Sequence, residues 1–177
     1  VLSPDALVQT YGLDQIRYFL MREIPHGQDG NFSHEQAIAR INADLANGLG
    51  NFISRVTTMA DGLAFGSNMT LSPAIEQAII HTKERMRETV EVFRLNDALA
   101  VLWELISFGD TYVNEKRPWE TKDRQILFDL IVLADNVSAL VAPFMPRTSA
   151  KIRDCIRWDE QGLRARKSAG LFPRLAA

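Results

Sequence analysis

Along most of the 177-residue chain, apolar residues recur every three or four positions and rarely alternate every second one. Residues 33–59 show this best. Ile38, Ile41, Leu45, Leu49, Phe52, Val56 and Met59 mark one face of a long amphipathic helix. Ser33 with Gln36 gives it a capping-box start, and the Gly/Asn/Ser-rich stretch 61–68 ends it. Ser72-Pro73 opens a further helix carrying Ile75, Ile79, Met86, Val90 and Phe93. Asn96 is the expected cap of the next, which holds Val101, Leu102, Leu105, Ile106, Tyr112 and Val113. Pro118 cannot continue that helix and pushes Arg117 out of the α region. A long helix is expected from about Glu120 to Val141, broken by Pro143 and Pro146. A short one then runs to about Arg157, with Ile152, Cys155 and Ile156 inward. Before the bundle, Ser3-Pro4-Asp5 starts a short helix that Gly12 stops. Residues 14–23 form a second, with Ile16, Phe19 and Leu20 on one side. Residues 24–31 and the last twenty read as irregular, and no strand pattern is visible. The expected fold class is all-α: an antiparallel helical bundle over 33–177, preceded by a short helical appendage over 1–32.

Hydrophobic residues make up 46% and charged residues 24%, the balance of a soluble globular protein large enough for its own core. No apolar run approaches the roughly 20 residues that span a bilayer, so no membrane partner is expected. No secretory signal is visible. The single cysteine, Cys155, excludes an internal disulfide and a multi-cysteine zinc site, and the expected setting is reducing and cytoplasmic. Val1 stands first in place of a methionine, with a helix start close behind. The expectation is a chain that begins inside a longer polypeptide. The net charge of -2 weighs against a protein whose main task is to grip phosphates, so any nucleic-acid contact must be local. From Lys151 to Ala177 there are seven Lys or Arg against three Asp or Glu; a solvated basic tail accounts for that equally well.

Catalytic signals are poor. His26, His34 and His81 lack metal-ligand spacing, and there is no phosphate-cradling glycine loop or nucleophile elbow. No catalytic residue, metal or cofactor is therefore expected in this chain. The long helix says more. At about 100° per residue, Asn47, Asn51 and Arg55 form a stripe away from its apolar face. Gly48 and Gly50 each cost about 1 kcal/mol relative to alanine there. Either glycine allows close helix packing with the amides bonded internally, or the stripe is a ligand face of directional donors. Trp119 poses a similar choice. It follows Pro118 in a stretch of charged residues, 114–122 (NEKRPWETK). It can plug a gap between helices, or offer a stacking platform to an unpaired base, worth about 1–3 kcal/mol. In the second case Asn and Arg would read the base edge. Trp103, inside an apolar helix, is expected in the core, and Trp158 is a weaker platform.

These residues resemble a known family. DAL at 5–7, YGLD at 11–14, RYFL at 17–20, REIP at 22–25, Gly27 and DGNFS at 29–33 resemble the segment after the KMSKS loop of methionyl-tRNA synthetases. NADLANGLGNFISR at 42–55, YVNEKRPW at 112–119, PFMP at 143–146 and LFPR at 171–174 resemble the anticodon-binding bundle of the same family. The first group and PFMP occur more loosely in other class I synthetases. The combination of NFISR with Pro118-Trp119 is specific to the methionine enzymes.

The resemblance implies a role in ATP-dependent attachment of methionine to its tRNA. Catalysis, with ATP and magnesium, would belong to an N-terminal catalytic domain bearing HIGH and KMSKS motifs, neither of which is present here. The family's zinc-binding insertion is also missing. Residues 1–32 would contact the tRNA stem and residues 33–177 the anticodon stem-loop of tRNA-Met, and the chain alone would be inactive. Asn51 and Arg55 would read the first anticodon base, a cytosine. Trp119 would stack on it, Pro118 would shape its approach, and Asn47 would assist. Two rivals remain: the matching domain of another class I synthetase, and a helical protein-interaction module that no longer binds RNA.

Overall fold

The helical period is realised almost throughout the computed structural model, which describes residues 3–176. Val1, Leu2 and Ala177, the outermost residues of the two expected segments, lie outside the described residues. Helix α1 (Pro4–Tyr11) ends at Gly12, whose φ of 90° suits a residue without a Cβ. Helix α2 (Leu13–Glu23) follows at once. Ile16 and Phe19 are buried as expected, but Leu20 is exposed and Tyr18 takes the inward position instead. The Tyr18 ring lies 4.6 Å from Trp103, and its hydroxyl donates to Asp44 at 2.6 Å. Trp103, packed against the core, also donates to the Asp44 carbonyl at 3.3 Å.

The long helix of the sequence is continuous but not uniform. It comprises α3 (His34–Arg40), a π-helical stretch (Ile41–Gly50) and α4 (Asn51–Met59), and residues at both junctions keep right-handed helical angles. Ser33 caps it by accepting from the Gln36 amide at 3.4 Å. Ile41, Leu45, Leu49, Phe52 and Val56 are fully buried, while Ile38 and Met59 pack at the edge of the core.

Helices α5 (Pro73–Glu91), α6 (Leu95–Lys116) and α8 (Arg124–Val141) complete the bundle, with α6 packed against both α5 and α8. Val90 and Phe93, expected inward, are exposed. They lie where α5 ends, and Phe93 leaves it with a φ of 57°. Arg94, not Asn96, occupies the α6 cap position, and the Asn96 amide bonds Asp97 in the first turn. The helix expected from Glu120 is split. A single turn, α7 (Pro118–Thr121), is followed by Lys122 at φ 50°, and α8 starts only where Asp123 accepts from the Gln125 and Ile126 amides. Helix α9 (Pro146–Cys155) follows the PFMP break.

Two expectations fail near the C-terminus. The chain turns into a strand at Ile156 instead of remaining helical to Arg157, and residues 158–165 are not irregular. Strands β1 (Ala64–Gly66), β2 (Ile156–Asp159) and β3 (Gly162–Ala165) form an antiparallel sheet in the order β1-β3-β2. Phe65 pairs with Leu163 and Trp158 with Leu163. Phe65, Leu163 and Ala165 close the core at that end of the bundle. Strands of three or four residues offer too few alternations to stand out in a helical sequence. Beyond β3 the chain runs extended along α4 and the π stretch. The Ser168 amide donates to the Thr57 hydroxyl at 3.2 Å, and Asn42 exchanges two bonds of 2.9 Å with the Leu175 backbone.

The N-terminal appendage is bonded to the bundle through α2. The buried Asp14 carboxylate accepts from the Thr148 amide at 2.6 Å and its hydroxyl at 2.8 Å, at the start of α9. Arg17 donates to the carbonyls of Phe144 and Pro143 at 2.9 and 3.0 Å. One helix thus satisfies both the exposed carbonyls before α9 and its first free donors.

Candidate functional site

Proline and two unusual backbone angles set Trp119 where it is. Pro118 cannot extend α6, and Arg117 adopts the left-handed region at φ 48°, ψ 54°. The sequence reading placed Arg117 outside the α region, and this is the form that takes. Lys122 repeats the conformation at the other end of α7. Two left-handed non-glycine residues cost strain, and they bracket a one-turn helix. Pro118 is buried and anchors that turn, while the Trp119 ring is 45% exposed. It does not plug a core gap.

Arg55, on α4, lies over this ring, its guanidinium carbon 6.0 Å from the ring centroid. Two side chains of α6 hold it there. Asp110 accepts at 3.2 Å and the Asn114 amide oxygen at 2.8 Å. Burial pushes the Asp110 carboxyl above its ordinary value of 3.8, against the opposing charge and hydrogen bond of Arg55. Ser54, Arg55, Thr58, Met59 and Trp119 line an open cleft of about 420 Å³. It offers a flat π-face, a cation with donors to spare, and hydroxyls at its wall.

Asn51 and Asn47 do not share that cleft. They line a neighbouring one of about 470 Å³ with Gly50, Ser54 and Phe172, and Ser54 is common to both. The Asn47 amide oxygen accepts from Arg174 at 2.9 Å. For Asn47 the reason lies in the helix. Asn47 sits in the π stretch, where each residue turns through less than in an α-helix, so the expected stripe drifts around the axis. The glycines resolve differently as well. A Cβ on Gly50 would stand 2.8 Å from the Leu45 carbonyl oxygen and 3.2 Å from the Phe172 ring, so close packing explains it. At Gly48 the nearest atoms would be at an ordinary 3.5 Å.

Asp110 and Asn114 were missed as partners of Arg55. Their four-residue spacing on α6, just before Pro118-Trp119, was the available signal. Its meaning depends on α4 packing beside α6, which spacing alone does not give. Among the described residues, no group of three or more His, Cys, Asp or Glu is placed to hold a metal ion. No helix among them is long and apolar enough to cross a membrane.

Comparison with known proteins agrees with the helical fold. The model of class I (M) tRNA synthetases matches residues 1–57. The methionine–tRNA ligase of Caldanaerobacter subterraneus subsp. tengcongensis is 34% identical over 99% of this chain, and that of Lactococcus lactis subsp. lactis is 37% identical over 91%. The chain spans only 32% and 26% of their lengths. Among solved structures, the free-state methionyl-tRNA synthetase of Mycobacterium tuberculosis superposes with a TM-score of 0.86 and 27% identity, over all of this chain and 42% of that one. The same organism's protein bound by methionyl-adenylate gives a TM-score of 0.83, with 27% identity over 98% of this chain and 40% of that one. By homology along its whole length, the chain belongs with the methionyl-tRNA synthetases and corresponds to their C-terminal part.

Proposed function

We propose that this chain is the tRNA-orienting part of a methionine–tRNA ligase, and that the cleft between Arg55 and Trp119 reads the first anticodon base of tRNA-Met. The observation that carries this is a half-exposed indole with a guanidinium fixed above it. Such a pair suits a base that has left its stack. Cytosine presents acceptors at O2 and N3, and Arg55 has only donors to offer. Uracil presents an N3–H, which meets that guanidinium donor to donor. Rejecting uracil therefore needs no added steric block. Asp110 and Asn114 hold the guanidinium in place before RNA arrives, which reduces what binding must order. Pro118 anchors the turn that presents the indole. Asn51, one turn from Arg55, contributes its amide from the adjoining cleft through the shared Ser54 wall, and Asn47 supports that cleft through Arg174.

The ligase chemistry lies outside this chain, in an N-terminal catalytic domain of the same polypeptide. ATP and magnesium belong there, as does the methionyl-adenylate of the Mycobacterium tuberculosis structure. Residues 1–32 contact the tRNA stem between the two parts, and the isolated chain has no aminoacylation activity. The test is binding of the chain to anticodon stem-loops carrying CAU or UAU at one fixed salt. CAU is expected to bind more tightly, and Arg55→Ala and Trp119→Ala each to abolish the preference. Equal binding of both loops by a folded wild-type chain would sink the reading.

A further inference from the structure

Trp119 belongs to two hollows. Beyond the Arg55 cleft, a second of about 480 Å³ is lined by Met59, Leu63, Pro118, Trp119, Lys122 and Arg124, with Leu127 at its base. A third, of about 540 Å³, follows the three-stranded sheet past Leu63 and Ala64 to Arg157, Arg164 and Arg166. Met59 is common to the first two, and Leu63 to the last two. The shared residues place the three hollows side by side, from the indole to the sheet.

The charge along these hollows runs against the chain's average. Lys122, Arg124, Arg157, Arg164 and Arg166 face two carboxylates, Asp154 and Asp159, in a protein of net charge -2. Arg157 and Arg164 stand directly opposite each other on neighbouring strands, an arrangement that costs stability for like charges. Arg164 pairs with Asp159 at 2.8 Å and with the Gln161 side chain at 2.5 Å, and Arg166 donates to the Asp154 carbonyl at 2.7 Å. Arg157 makes no side-chain hydrogen bond or ion pair among the described residues. Arg124 spans the gap, bonded to the Ala64 carbonyl with its guanidinium 5.4 Å from the Phe65 centroid. A run of cations is thus held along the sheet, and of the five only Arg164 has a carboxylate partner among the described residues.

We propose that this sheet face binds the phosphodiester backbone of the RNA strand that leaves the Trp119 cleft, through Arg157 and Arg164. The proposal rests on the reading of that cleft as an RNA site. The contact is to phosphates and so carries no sequence preference; the base in the cleft supplies that. A bound polyanion also relieves the Arg157–Arg164 repulsion.

The experiment measures affinity for CAU and UAU stem-loops against salt concentration, for wild type, Arg157→Ala/Arg164→Ala and Arg157→Lys/Arg164→Lys. Each phosphate contact adds about 0.7–0.9 to the slope of log affinity on log salt. The alanine pair is expected to lower that slope by about 1.4–1.8. It should weaken both loops by one common factor, keeping the CAU preference, and the lysine pair should keep the slope. Both positions are exposed, and the lost Arg164–Asp159 surface pair is offset by relief of the Arg157–Arg164 repulsion, so the alanine pair should melt close to wild type. An unchanged slope with the CAU preference intact overturns the sheet proposal and leaves the anticodon reading standing. A lowered slope in a chain that never preferred CAU supports the sheet and sinks the reading. Loss of CAU preference in the alanine pair, or a folded wild type that binds neither loop, overturns the proposal.

Discussion

Two glycines two residues apart in one helix should respond to alanine with opposite signs. Intrinsic helix propensity favours alanine over glycine by about 1 kcal/mol at either position. At Gly48 the added methyl meets the Ala43 carbonyl oxygen and the Trp103 ring nitrogen at 3.5 Å, which is ordinary contact. Gly48→Ala should therefore keep most of that gain. At Gly50 the methyl stands 2.8 Å from the Leu45 carbonyl oxygen, a backbone atom of the π turn, and 3.2 Å from Phe172. The backbone cannot give without reshaping that turn, and overpacking of this kind costs about 1–3 kcal/mol. Gly50→Ala should be destabilised by up to about 2 kcal/mol after the propensity gain is subtracted. For a domain of this size, the two variants should then melt roughly 2–12 °C apart, with Gly48→Ala the higher. Urea denaturation with a thermal melt measures this. Equal shifts of the same sign would refute the account of Gly50 as a packing residue.

Other outcomes follow from buried groups. Asp14→Ala strips the Thr148 amide and hydroxyl of their partner at the start of α9, and should cost about 1–3 kcal/mol in urea unfolding; Asp14→Asn, which keeps an acceptor, should cost less. Asp110 has its pKa raised in the fold by burial, so its proton is held more tightly in the folded chain than in the unfolded one. Its contribution to stability is complete below the ordinary carboxylate range and is lost as pH rises through the raised value. Stability curves of wild type and Asp110→Asn should accordingly diverge in favour of the variant across that window. Parallel curves would contradict the assignment.

Helix positions were legible because their signals repeat: seven apolar residues at three- and four-residue spacing mark residues 34–59 before any contact is known. What escaped was whatever depends on one turn or on a distant partner. The π stretch leaves no mark on the apolar period, yet it moves Asn47 off the face of Arg55. The strand at 64–66 is too short to show alternation and forms because 162–165 lies beside it. Leu20, Val90 and Phe93 fit the helical period but stay exposed, Phe93 with the His26 ring stacked beside it. In the site, the exposure of Trp119 follows locally from Pro118. The hold on Arg55 by Asp110 and Asn114 required the packing of two helices that brings together side chains 55 and 59 positions apart in the chain.

Stacking of a base on Trp119 is reported directly by a fluorescent cytosine analogue, such as pyrrolocytosine, at the first anticodon position. Saturating wild-type chain should quench its emission as the ring stacks on the indole, while Trp119→Ala, saturating the same loop, should leave the emission near that of free RNA. Equal quenching by wild type and Trp119→Ala would contradict the account.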